Sequence, residues 1–267
     1  MRRNIALCSC VIVGLFCMPN VTVAVPYSTD FSTDPGWTTD QPANYYWDAT
    51  NQWYHARVEN NAPAYQPNRY FGKLLPPVGP GFALSWDVQV ASMQWSSAVE
   101  FGLFDSQLKA GAGLPGQAVF ATLSYGDSGR SMGLYADGVG GRSVVWGPYN
   151  GWQVGQWYTC TLGYDPATDV ATFGLRDRGT GTPIWQTGLL VLGGGFSNDL
   201  VFLGGSRYGM GDDGNYSGVN RGAAAQANID NVYMAPIPAP GAVVLVGIGA
   251  SLVTWLRRRG ALCSMSL

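Results

Sequence analysis

Between Phe82 and Val90 the chain alternates. Phe82, Leu84, Trp86, Val88 and Val90 fall on one side, and Ala83, Ser85, Asp87 and Gln89 on the other. A period of two sends successive side chains to opposite faces of a strand, so this segment is expected to be a half-buried β-strand. Val99, Phe101 and Leu103 alternate in the same way with Ala98, Glu100 and Gly102, and Val119, Ala121, Leu123 and Tyr125 repeat the pattern. Residues 156–164 and 169–176 flank Asp165-Pro166-Ala167-Thr168. A proline directly after aspartate suits a type I turn, so these two runs should form a hairpin. Further strands are expected at 143–146, 184–190, 200–204 and 227–234, and the body holds no sustained helical period. About ten short strands in about 200 residues, without linker or repeat, predict an all-β fold built as a single antiparallel β-sandwich. It should span residues 25–234.

Composition agrees with a folded, strand-rich body. Of 267 residues, 12% are charged, 13% are aromatic and 37 are glycine. Low charge with many aromatics argues against disorder. Five of the 15 basic residues (Arg2, Arg3, Arg257, Arg258 and Arg259) sit at the two ends, which leaves ten against 17 acidic residues between them, a net of −7. A body that acidic will not hold a phosphate backbone, which excludes nucleic acid.

Both ends are read as addresses. Arg2 and Arg3 precede an apolar run over residues 5–18 and then Thr22-Val23-Ala24. That order marks a secretory signal helix over 1–24, cleaved after Ala24. At the other end a Pro-rich linker, 235–241, leads into 242–256, which carries no charge, and then into a basic tail, 257–267. With its flanks, 242–256 approaches the length of a transmembrane helix, and the Arg cluster fixes its end on the cytoplasmic side.

This tail resembles the PEP-CTERM sorting signal of bacterial exosortase substrates, carried by Ile237, Pro238, Ala239 and Pro240 before the helix and by Arg257, Arg258 and Arg259 after it. Ala239 stands where that family has Glu. The resemblance implies an exosortase-like sorting enzyme as partner, a membrane contact through the C-terminal helix, and a place in a bacterial cell envelope.

Cys8, Cys10 and Cys17 lie in the signal and Cys263 in the tail, so Cys160 is alone in the body. A disulfide framework and a cysteine metal site are both excluded. Cys160 alternates with Tyr158 and Leu162 in Trp157-Tyr158-Thr159-Cys160-Thr161-Leu162, the pattern of a buried, inert thiol.

The Trp157-Tyr158 strand, its Tyr164-Asp165-Pro166 turn, the opening Asp30-Phe31 and the closing Ile229-Asp230-Asn231-Val232 resemble parts of laminin-G-like and concanavalin A-like jelly rolls. In such domains the first and last strands pair at a sheet edge. The resemblance covers lectins, carbohydrate-binding modules, glucanases and adhesive domains, so it leaves activity to the residues. Glucanases of this type carry Glu-x-Asp-x-x-Glu or Glu-x-Asp-x-x-x-Glu on one strand. Here the glutamates are Glu59 and Glu100, and the nearest approach, Glu100 to Asp105, puts the two carboxylates on opposite strand faces. The expectation is therefore that the chain is not an enzyme and needs no cofactor. Trp37, Tyr45, Tyr46, Trp47 and Trp53, interleaved with Asp and Asn, are the candidate glycan-binding residues, since flat rings stack on sugar faces while amides and carboxylates meet hydroxyls. Asp30 and Asp230 are candidate ligands for a structural Ca²⁺, a cation that takes oxygen donors. The polar run 211–215 lacks EF-hand spacing and reads as a solvated turn. These features together predict an exported, C-terminally sorted envelope protein whose sandwich binds extracellular polysaccharide. Two alternatives are a purely structural or adhesive body and, third in rank, a degenerate glycoside hydrolase.

Overall fold

The computed structural model describes residues 26–39, 41–59, 70–76, 81–93, 97–105, 116–126, 128–197, 199–206 and 224–237. The expected signal, Pro238, Ala239, Pro240, the segment 242–256, Arg257, Arg258, Arg259 and the run 211–215 lie outside them; of the sorting motif, Ile237 is described.

The described residues hold strands and no helix. The chain begins with β1 (Tyr27–Thr29), β2 (Thr38–Thr39), β3 (Tyr45–Asp48), β4 (Trp53–Glu59) and β5 (Tyr70–Leu74). The middle third supplies β6 (Gly81–Met93), β7 (Ser97–Asp105), β8 (Ala118–Gly126), β9 (Gly129–Gly138) and β10 (Gly141–Trp146). It ends with β11 (Trp157–Asp165), β12 (Val170–Asp177), β13 (Pro183–Leu190), β14 (Leu200–Ser206) and β15 (Ala224–Ile237). They form two antiparallel sheets packed as a sandwich. The first runs β13-β12-β11-β6-β15-β4-β3 with β1 also on β15, and the second runs β10-β9-β8-β7-β14-β5-β2.

The expected hairpin is β11–β12, closed by Asp165, whose Oδ1 accepts the Ala167 N–H at 2.9 Å. The first and last strands do pair, with Tyr27 opposite Met234. Yet β15 is not at an edge. It runs along β6 on one side, and β4 then β1 share the other. It also continues past the expected end of the body, placing Pro236 and Ile237 opposite Phe82 and Gly81.

The alternation of β6 buries Phe82, Leu84, Trp86, Val88 and Val90 between the sheets, and Trp86 meets Phe101 of β7 at 5.0 Å. Cys160 is in this core, where burial raises its thiol pKa well above the ordinary value and the Asp87 charge adds to the shift. Trp37, Tyr54, Phe71 and Phe31 close one end as an aromatic cluster, with Trp37 to Tyr54 at 4.8 Å and Tyr54 to Phe71 at 5.5 Å. In the second sheet all nine residues of β7 are buried. Its outer face carries a separate cluster of Phe104, Ala118, Phe120 and Phe202, against which Tyr70 and Tyr135 pack. Glu100 and Thr122, opposite one another on that face, are buried with them.

Burial raises the phenol pKa values of Tyr27, Tyr54, Tyr158 and Tyr164 above the ordinary value, and at Tyr164 the accepting Asp169 carboxylate, 2.8 Å away, adds to the shift. A raised folded pKa leaves stability unchanged below the unfolded value of about 10 and removes it as pH climbs from there through the folded values. In a spectrophotometric titration these four tyrosines should therefore ionise together with unfolding.

Candidate functional site

The outer face of the first sheet is shaped by one extra residue. On β15, Asp230 lies opposite Asp87 and Tyr233 opposite Ser85, so four residues of β15 span three of β6. Asn231 takes up the excess with φ of 49°, a left-handed conformation that Asn adopts at less cost than most side chains. Such a bulge reverses the alternation beyond it. Ile229 points into the core, and so do Val232 and Met234, while Tyr233 turns outward and is 48% exposed.

Beneath Tyr233 is an open groove of about 410 Å³ running over β6, β11, β12 and β15. Its floor is made of small or hydroxyl-bearing side chains: Ala83, Ser85, Thr161, Gly163 and Thr172. Glycine keeps that floor low, because a Cβ on neighbouring Gly174 would stand 2.7 Å from Thr161 Oγ1. The volume lies in the range of ordinary small-ligand clefts.

One strand-step along β6 the surface becomes polar and aromatic. Asp87 is buried, and its carboxylate accepts from Thr159 Oγ1 at 2.6 Å, Asn231 Nδ2 at 2.9 Å and Arg178 Nε at 3.1 Å. The Arg178 guanidinium also reaches Asp230 at 3.4 Å and lies over the Trp157 ring at 4.9 Å. Trp157 in turn meets Trp53 at 5.7 Å, although β6 and β15 separate their strands. The two indoles thus approach each other across the strands that carry Asp87 and Asn228, both buried. Asn228 Nδ2 donates to Gln89 Oε1 at 2.9 Å, which leaves its Oδ1 to accept from His55 Nδ1 at 2.9 Å. Burial raises the Asp230 carboxyl pKa above the ordinary value; the Asn231 N–H and Arg178 oppose this, and Asp87 adds to it.

The structure separates the five aromatics expected to bind glycan. Trp37 and Tyr45 are core residues; Trp37 Nε1 donates to the Tyr27 hydroxyl at 2.7 Å, and Tyr45 stacks on Phe71 at 5.0 Å. Trp47 is half-buried and spends its Nε1 donor on the Phe31 carbonyl at 2.9 Å. Tyr46 is 44% exposed beside His55, and Trp53 belongs to the indole pair. Tyr45, Tyr46 and Trp47 lie in β3 and Trp53 in β4. Strand alternation then points Tyr45 and Trp47 inward and Tyr46 and Trp53 outward. Asp30 and Asp230 do not share a partner among the described residues: Asp30 accepts from Ser32, while Asp230 faces Arg178 and Asn231. Among those residues no cluster of three His, Cys, Asp or Glu side chains is placed to hold a metal.

Sequence reasoning missed Tyr233, Asn231, Asp87, Trp157 and Arg178 as site residues. A signal for the bulge was present, since Ile229, Val232 and Met234 are spaced by three and then by two.

No protein-family model and no curated protein sequence matches the chain. Solved structures do. The PL-14 alginate lyase from Aplysia kurodai has a TM-score of 0.54 at 10% identity, covering 81% of this chain and 100% of that one. Peanut lectin has a TM-score of 0.52 at 13% identity, with 81% and 99% covered. The GH43 protein BlXynB from Bacillus licheniformis has a TM-score of 0.50 at 9% identity; 79% of this chain matches 39% of that one. At these identities the likeness shows the fold, a concanavalin A-like jelly roll. It also corrects the expectation of a non-enzyme. A lyase matched over its whole length stands among the neighbours, beside a GH43 protein matched over 39% of its own, so the missing Glu-x-Asp-x-x-Glu strand does not exclude an enzyme. That motif tests for paired-carboxylate hydrolysis, whereas elimination asks for a base that removes a carbon-bound proton.

The bulge makes a ranked prediction. Asn231→Gly keeps the left-handed backbone and loses the side-chain bonds to Asp87 and Asp230. Asn231→Val also forces a β-branched residue to positive φ, and should cost about 1–3 kcal/mol from strain and lost bonding. Urea denaturation should place the valine variant clearly below the glycine variant.

Proposed function

We propose that this chain is an exported envelope protein whose sandwich binds polysaccharide on the outer face of the first sheet. The observation that carries the reading is Tyr233, a ring turned outward by a bulge over a groove floored by Ser85, Thr161 and Thr172. A solvent-facing tyrosine gains little for stability, while an aromatic body with a polar tip is suited to a ligand that offers both C–H faces and hydroxyls. The concanavalin A-like fold, shared with a lectin, supports the ligand class by analogy.

Affinity electrophoresis against laminarin, xylan, galactan and alginate tests it. Wild-type protein should be retarded by at least one polymer, and Tyr233→Ala should lose that retardation. Its melting temperature should barely change, since exposed substitutions stay within about 0.5 kcal/mol. Equal retardation of both proteins, or none by any polymer, would overturn the reading. Reducing ends and unsaturated products, assayed in the same mixtures, report whether the bound polymer is also cut.

Export and sorting rest on the sequence of the two ends. Because β15 pairs with β6 as far as Ile237, a truncation should begin after that residue. Removing 238–267 is expected to release a folded sandwich into the medium. Membrane association that survives the truncation would rule out the tail as the anchor.

A further inference from the structure

We infer that the Trp53–Trp157 pair is a second contact of the same binding face, so that the ligand is an internal stretch of a linear polysaccharide rather than a chain end or a monosaccharide. This rests on the carbohydrate reading of the groove and goes beyond it.

Both contacts lie on one side of the sheet. Tyr233 pairs with Ser85, and Trp157 with Gln89, four residues further along β6. At a strand rise of about 3.4 Å per residue the two positions are about 14 Å apart, more than one sugar ring can bridge. Between them the outward positions are polar: Asp87 and Thr159, with Asp230 across on β15. The surface is thus apolar ring, polar stretch, apolar ring pair, a pattern that matches successive units of a chain.

The indole pair is held ready. Arg178 lies over Trp157 and is tied to both Asp87 and Asp230, so the ring cannot swing freely. Both indoles remain half-exposed. A fixed, partly open aromatic pair above buried, fully engaged polar groups lowers the ordering cost of a contact. Packing alone does not explain it, because the hydrophobic core lies on the opposite face of the sheet.

The test uses the polymer that retards the wild-type protein most, together with its size-fractionated oligomers, in titration calorimetry. For wild type, affinity should climb with oligomer length and level off only once the chain spans both contacts. Trp53→Ala should leave the shortest oligomers unaffected and lower the plateau affinity about tenfold, which is about 1.4 kcal/mol. Should Trp53→Ala fold poorly, Trp53→Leu and the wild-type length series carry the same test. Saturation at the shortest oligomer would overturn the inference, as would an equal loss at every length on mutating Trp53. Either result leaves the groove reading standing. Loss of all binding differences between wild type and Tyr233→Ala would instead remove the groove reading, and this inference with it.

Discussion

A carboxylate buried on the outside of a sheet has to be surrounded by donors, and much of this surface follows from how Asp87 meets that demand. Its donors come from three places in the chain: Thr159 on β11, Asn231 on β15 and Arg178 just beyond β12. Each commits something else. Asn231 reaches Asp87 from the bulge, and the same bulge turns Tyr233 outward. Arg178 reaches it while lying over Trp157, which in turn meets Trp53. Removing one partner of such a group leaves a buried charge short of bonds, which costs more than the bond itself contributed.

The inner architecture was legible because it obeys a simple period. β6, β11 and β12 each alternate between core and outside, and the Asp-Pro turn fixes the hairpin. Legibility failed in two settings. Along β7 the alternation of Val99, Phe101 and Leu103 marks the core face, but it does not show that the other face is covered too, as the outer cluster of Phe104, Phe120 and Phe202 makes it. Where aromatics crowd together, composition points to ligand contacts, whereas β3 and β4 fold Tyr45 into the core and bring Trp37 against Tyr54.

The site was less legible than the fold for a physical reason. Its members are far apart in sequence, and each is ordinary in its own strand. Asp87 sits in an alternating run as any polar outward residue would. Trp157 opens a strand, and Arg178 follows one. Only the strand order β12-β11-β6-β15-β4 brings them together. Paired carboxylates, in turn, answer one chemical question, on a fold that a lyase also shares.

The pairing of β1 with the far end of β15 sets the domain's polarity. Tyr27 stands opposite Met234, so the chain enters and leaves the sandwich side by side. Ile237, the last described residue, also lines the groove. The exit point of the polypeptide and one lip of the cleft are therefore the same place. If the chain beyond Ile237 tethers the body to a surface, the cleft opens at the tethered pole and the indole pair points away from it. A polymer lying flat along that surface would meet the cleft first, and its free run would lead outward.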